Sequence, residues 1–211
     1  MKKRIILIGG GGHCRSTIDV IESTDHFEIS GILEISEKKG TCISGYPVVG
    51  SDEKISEFVE KEYAFCITVG QIKSSKIRQR IFRQLEDLNA DIPVIRSGRS
   101  VVSEKASLGA GTVVYHNAVV NAWSSIGKGC IINTGSIIEH DVSVGCFCHI
   151  STGACINGDV KIGDNVFIGS NAVLGNDITI CSDVIIGAGS VVLSSIEHPG
   201  CYAGNPVRRI K

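Results

Sequence analysis

The sequence predicts an α/β unit of parallel strands followed by a parallel β-helix. Aliphatic residues occupy every sixth position from Val102 to Val192, sixteen in succession. That is the hexad period of a parallel β-helix. Over residues 1–95, short apolar strands alternate with helical stretches, the order that builds a parallel sheet. Glycine contributes 25 of 211 residues, against about 7% in ordinary proteins. No Gly-X-Y period runs through the chain, which excludes collagen and implies many tight turns.

The first part reads as a small Rossmann-like βαβ unit. Arg4–Ile8 is an apolar strand, Gly9–Gly12 a glycine turn, and His13–Ser23 a helix with Ile18, Val20 and Ile21 on its apolar face. Phe27–Leu33 is a second strand ending at Glu34. Ser51 or Asp52 caps a helix to Glu60. Ala64–Val69 is a third strand closed by Gly70, Ser74–Leu88 a basic amphipathic helix, and Ile92–Ile95 a last short strand. A strand, glycines and a helix N-terminus leave free backbone N–H groups that suit phosphate. Gly9 and Gly11 fit the dinucleotide fingerprint, but its last glycine is replaced by Cys14. The unit is half the usual dinucleotide fold and suits one nucleotide better than two. A purely structural tight turn is the alternative.

In the second part, three hexads make an 18-residue triangular coil, and residues 102–191 supply about five coils. At about 4.8 Å between strands, the prism is roughly 24 Å tall. The residue two before each aliphatic position is usually small, as at Ala118, Ser124, Cys130 and Ala154. Positions two apart on a strand face the same way, so each hexad turns one large and one small side chain inward. Glycine follows the aliphatic residue at 109, 127, 145, 163, 169, 175 and 187, which suits a corner of unusual φ/ψ.

A net charge of −1 argues against nucleic acid as a partner. With 43% hydrophobic residues the chain is not disordered, and no apolar run approaches the roughly 20 residues of a membrane helix. The nine cysteines form no C-x-x-C pair and read as small buried residues. Free thiols fit a reducing, cytoplasmic compartment.

Three of the six histidines, His116, His140 and His149, lie in the repeat region. Residues stack on one face only when spaced by multiples of 18. His116 and His140, 24 apart, therefore sit on different edges, which disfavours a three-histidine metal site within one subunit. No metal is expected. His149 precedes an inward aliphatic residue and points out from a flat wall. His140 lies at a corner, followed by Asp141. An imidazole titrates near working pH, and a neighbouring carboxylate fixes its tautomer and stabilises the imidazolium. That pair suits a general base for acyl transfer; a solvated surface histidine is the alternative.

The opening Gly-Gly-His and the motif Asn133-Thr-Gly-Ser-Ile-Ile-Glu-His140-Asp141 together resemble the NeuD/PglD family of bacterial sugar acyltransferases. The tail Tyr202–Arg208 resembles the segment closing those enzymes. The resemblance implies a left-handed β-helix over residues 97–211 behind a nucleotide-sugar-binding unit over residues 1–96. It implies His140 as proton acceptor, helped by the acidic residue after it. Many members carry Glu there; Asp141 is one methylene shorter. His149, Gly158, Ser170 and Ala188 match family positions that contact acetyl-CoA. Gly11, Gly12 and His13 match the loop holding the sugar-nucleotide phosphates, while Glu34 and Gly70 match positions after strands two and three. The family is trimeric, with the coenzyme between neighbouring prisms. Arg208 and Arg209 either steer coenzyme phosphates or form a solvated pair. The implied reaction is acetyl transfer from acetyl-CoA to the amino group of a UDP-linked 4-amino-deoxy sugar, for surface glycan synthesis. A sialic-acid-type O-acetyltransferase and a non-catalytic nucleotide-sugar-binding protein are the alternatives.

Overall fold

The computed structural model describes residues 2–35, 40–72 and 74–211. Its first part contains β1 (Lys3–Ile8), α1 (Gly12–Glu22), β2 (Phe27–Leu33), β3 (Cys42–Ile43), β4 (Tyr46–Gly50), α2 (Ile55–Glu60), β5 (Ala64–Ile67) and α3 (Lys76–Asp87). The sheet order is β3-β4-β2-β1-β5. All its pairs are parallel except the β3–β4 hairpin. Alternation along β1 divides the core between two faces. Ile5 and Leu7 pack with Cys14, Ile18 and Ile21 of α1, while Ile6 and Ile8 pack with Ile81, Phe82 and Leu85 of α3.

The second part is the expected left-handed parallel β-helix. Each aliphatic hexad residue closes a short strand, and strands pair in register with those 18 residues away, as in Ile132↔Ile150 and Ile150↔Ile168. Three walls result. The docked wall runs from Ile95–Arg96 through Val113–Val114 and His149–Ile150 to the tail strands; the second spans Val101–Val102 to Val191–Val192; the third spans Ser107–Leu108 to Thr179–Ile180. The interior is the expected column of aliphatic and small residues, from Val114 and Ala118 to Val192.

The structure departs from the sequence expectations at three points. Ile95–Arg96 pairs with Val113–Val114 and belongs to the docked wall, not to the first sheet; only Asp91 bridges to Ala64 there. The β3–β4 hairpin is an addition to the expected strands. The seven glycines after the aliphatic positions do not take left-handed φ. A Cβ at Gly127 would lie 2.7 Å from the Gly145 carbonyl, and one at Gly109 2.5 Å from Lys128 N. Those glycines exist because successive coils touch there. Left-handed φ falls instead at fourteen successive corners, every sixth residue from Gly111 to Gly189. Twelve of them are Gly, Asn or Asp, the residues that tolerate it. The exceptions are Trp123 and Phe147.

The first unit lies along the docked wall. Val113, Tyr115 and Ile131 face outward into the α1 cluster. Phe147 meets Phe82 edge-on at 5.3 Å, contact that offsets its strained corner. Arg78, 1% exposed, shares the apolar stripe of α3 with Ile81, Phe82 and Leu85. Its Nη1 donates to the Ile67 and Val69 carbonyls and its Nη2 to the Gly129 carbonyl of the prism.

The two kinds of corner glycine should respond differently to substitution. Gly127→Ala forces coils apart and is expected to cost about 1–3 kcal/mol. Gly135 has φ +65° with open space around it, so Gly135→Asn should stay within about 0.5 kcal/mol. Urea unfolding midpoints compare the two; equal losses would contradict the division.

Candidate functional site

The glycine turn between β1 and α1 is one half of the site. Gly9 takes φ +105° against Val69, while a Cβ on Gly11 or Gly12 would meet nothing. Their backbone therefore faces open space at a helix N-terminus with no acidic residue in its first turn. The adjoining cavity of about 490 Å³ is walled by the glycine turn, Glu34, Thr68–Gly70, Ile77 and the Asp52–Arg80 pair. Glu34 accepts the Gly10 N–H and, at 3.1 Å, the Ile35 N–H. Gly70 packs on His13 Cβ. A larger groove of about 710 Å³ along α3 has no glycine turn among its lining residues.

His13 forms the floor of this half, and its protons can be assigned by accounting. Thr17 Oγ1 donates to the His13 carbonyl at 2.9 Å. Its 2.5 Å contact with Tyr115 Oη must then use the tyrosine proton. Tyr115 Oη in turn accepts from His13 Nε2–H at 3.0 Å. Nδ1 is thus the free acceptor of a neutral ring. Burial, then the Arg78 charge and His149, hold the His13 pKa down at about 3, so it stays neutral in ordinary buffers.

His149 points out of its wall as expected and is buried there, beneath the first unit. Its Nδ1–H donates to the Gln71 carbonyl at 2.6 Å and its Nε2 accepts from Asn133 Nδ2 at 3.1 Å. Burial brings its pKa to about 4. The ring lies 6.3 Å from that of His13. His116 also serves the junction, donating Nε2–H to Asp19 of α1 at 2.8 Å.

The other half is the edge between the second and third walls. His140 is exposed there, and Asp141 Oδ2 reaches its Nδ1 at 2.9 Å, so the shorter acid suffices. That bond first, then the charges of Asp141, Asp159 and Glu139, raises the His140 pKa above its ordinary value. Atoms of His140, Asp141 and Asp159 gather within 4.8 Å. Gly158 lies one coil on, under the ring: a Cβ there would stand 2.7 Å from His140 Cε1.

Within one chain the two halves face apart. The glycine turn lies over the docked wall, and His140 lies on the edge opposite that wall. Ser170 and Ala188 stack one coil apart on a third location, the edge joining docked and second walls, on the α1 side of the prism. Gly158 shares the His140 edge and His149 the docked wall. Sequence reasoning misses Tyr115, Gln71 and Arg78, which act across the junction. The one legible signal is Arg78 on an apolar helical stripe. Trp123, one coil below Asp141, is also missed, although it breaks a column of Gly, Asn and Asp.

Residues 4–85 match the PglD N-terminal domain family, and residues 141–176 and 159–194 match the bacterial transferase hexapeptide family. No curated protein matches the chain in sequence. Among solved structures, the acetyltransferase domain of PglB from Neisseria gonorrhoeae in complex with acetyl coenzyme A is 29% identical, with TM-score 0.93 over 100% of both chains. PerB from Caulobacter crescentus, in complex with CoA and GDP-perosamine, is 28% identical, with TM-score 0.91 over 98% of this chain and 97% of that one. A variant of the Caulobacter GDP-perosamine N-acetyltransferase with histidine replaced by alanine is 27% identical, with TM-score 0.91 over 98% and 96%. Among the described residues no helix is long and apolar enough to cross a membrane. With a PglD N-terminal domain, a hexapeptide-repeat prism and these neighbours along its whole length, the chain belongs to the NeuD/PglD family of hexapeptide-repeat acyltransferases.

Proposed function

We propose that the protein transfers the acetyl group of acetyl-CoA to the amino group of a nucleotide-linked 4-amino-deoxy sugar, with UDP as the expected nucleotide and GDP, as in PerB, the other member of the acceptor panel. The observation that carries this reading is the exposed His140–Asp141 dyad on a hexapeptide-repeat edge. Neighbours solved with acetyl-CoA and with CoA plus GDP-perosamine support the two substrates.

The amine nitrogen attacks the thioester carbonyl carbon, and the C–S bond breaks. His140 Nε2 takes the proton lost by the amine and returns it to the departing thiolate. Asp141 holds Nδ1 and stabilises the imidazolium. The carboxylates of Glu139, Asp141 and Asp159 draw in a cationic amine, which gives up one proton to solvent before it attacks; that attraction favours an amino over a hydroxyl acceptor. In the other half, the Gly11 and Gly12 N–H groups take the diphosphate at the helix N-terminus. His13 Nδ1 accepts a hydrogen bond from a ligand hydroxyl. Glu34 shapes the turn by holding Gly10, and Gly70 leaves room beside His13.

Because the halves face apart, the acceptor bound on one chain is acylated by His140 of a neighbour in a homotrimer. The groove between prisms then has His140 and Gly158 on one side and Ser170 and Ala188 on the other, with acetyl-CoA between them. His149, buried at the junction, bears on this groove through Asn133.

His140→Ala is expected to lower turnover on the panel by about 10²–10⁴-fold; a near-normal rate would defeat the assignment. The base must be neutral, so kcat/KM should rise with pH through a value above the ordinary histidine pKa. Asp141→Asn removes what raises that pKa, so the acid limb should move to lower pH while the plateau falls. A limb that stays put would count against the dyad. Gly158→Ala crowds the His140 ring and should depress kcat; an unchanged kcat would remove Gly158 from the site. Mixing inactive His140→Ala with inactive Gly11→Val protomers, then re-forming oligomers, should restore part of the activity. Inactive mixtures would place both halves in one chain.

A further inference from the structure

Trp123 is the only tryptophan in the chain, and it stands where the backbone least accepts it. Its φ is +66°, a left-handed corner that suits Gly, Asn or Asp and strains a bulky side chain. The other aromatic corner, Phe147, is 9% exposed and packs against Phe82 of a separate unit. Trp123 has no such contact: it is 65% exposed, with Lys105 Nζ 5.5 Å from its ring centre. The Lys105 contact leaves most of the ring exposed, and that surface is open to a contact outside the chain.

Its position says what that contact is. The Ala122–Trp123 corner lies directly under the catalytic corner, the Ala122 carbonyl accepting the Asp141 N–H at 3.1 Å. One coil, about 4.8 Å between backbones, therefore separates the Trp123 corner from the corner of the dyad. Glu139, Asp141 and Asp159 make the corner acidic. It repels the phosphates of the coenzyme and of the nucleotide, and admits the amino end of the acceptor. Of the groups that reach this corner, the sugar ring has a C–H face that is apolar and fits an aromatic plane.

We propose that Trp123 is the sugar-binding platform of the acceptor site, stacking under the C–H face of the amino-deoxy sugar while His140 meets its amine. This rests on the proposed acetyl transfer. Lys105, its Nζ 5.5 Å from the ring centre, steadies the ring's orientation by cation–π attraction.

As the sole tryptophan, Trp123 reports on itself. Tryptophan emission is followed while the full-length protein is titrated with the UDP- or GDP-linked 4-amino sugar that wild type turns over, with UDP or GDP alone, and with CoA. The expected result is a shift with the sugar nucleotide and none with the diphosphate or CoA. Trp123→Asn, which relieves the corner, should fold normally and raise acceptor KM about tenfold with acetyl-CoA KM unchanged; Trp123→Phe should recover part of the loss. Turnover with unchanged emission and unchanged KM overturns the platform alone. So does emission that answers only to CoA, or a Trp123→Asn protein whose oligomer dissociates, which would make the ring intersubunit packing. If wild type acetylates no acceptor in the panel, the proposed reaction and the platform fall together.

Discussion

The 18-residue register governs this molecule. Strands in successive coils pair with no slip, from Val101↔Val119 to Val173↔Val191. Every residue therefore has a neighbour 18 positions away at β-sheet distance. Where backbones meet at a corner, only glycine leaves room, as at Gly109, Gly127 and Gly145. Where the chain turns, φ becomes positive and Gly, Asn or Asp follows. The same geometry builds the chemistry. His140 can lie flat only because residue 158, one coil on, has no side chain, and Asp159 enters the acidic corner for the same reason of register.

The second constraint is the junction between the units, where polar groups are buried and each needs a partner. Arg78 spends its guanidinium on three carbonyls, one of them in the prism. Burial lowers its pKa, but its charge still helps to keep His13 and His149 neutral. Neutrality decides what His13 can do. With Nε2–H committed to Tyr115, it offers an acceptor rather than a positive charge, so in the proposed reaction attraction for a diphosphate falls to the N–H groups of Gly11 and Gly12. The prism wall thus tunes a side chain of the other unit through Tyr115, 102 residues away in sequence.

Local and periodic features are legible in the residues themselves. The hexads name every inward aliphatic position, and the glycine turn before α1 and the His140–Asp141 corner lie where their motifs place them. Long-range features are not legible in this way. Nothing near Ile95 says that it pairs with Val113 rather than with β5. Nothing near Tyr115 names Thr17 and His13. The glycine column misleads for a physical reason: glycine serves left-handed φ and close approach alike, and composition does not separate them. The hexad phase does, because left-handed corners fall three residues after the aliphatic position and close approaches fall one after.

An 18-residue register also underlies the proposal that one chain completes its site with another. A prism has three edges and three walls, and each feature keeps to its own. The first unit covers one wall, with α1 beside the edge of Ser170 and Ala188 and α3 beside the edge of Phe147 and Lys128, where Lys128 meets Glu86. The remaining edge carries Trp123, His140 and Asp159, solvent-exposed, and no turn of the solenoid can bring it round to the glycine loop. Under the proposed reaction, rigid coils leave one way to join a diphosphate at α1 to a base at the far edge: a second prism presents that edge. The separation of the two halves within one chain is what makes an oligomeric enzyme the economical reading of this fold.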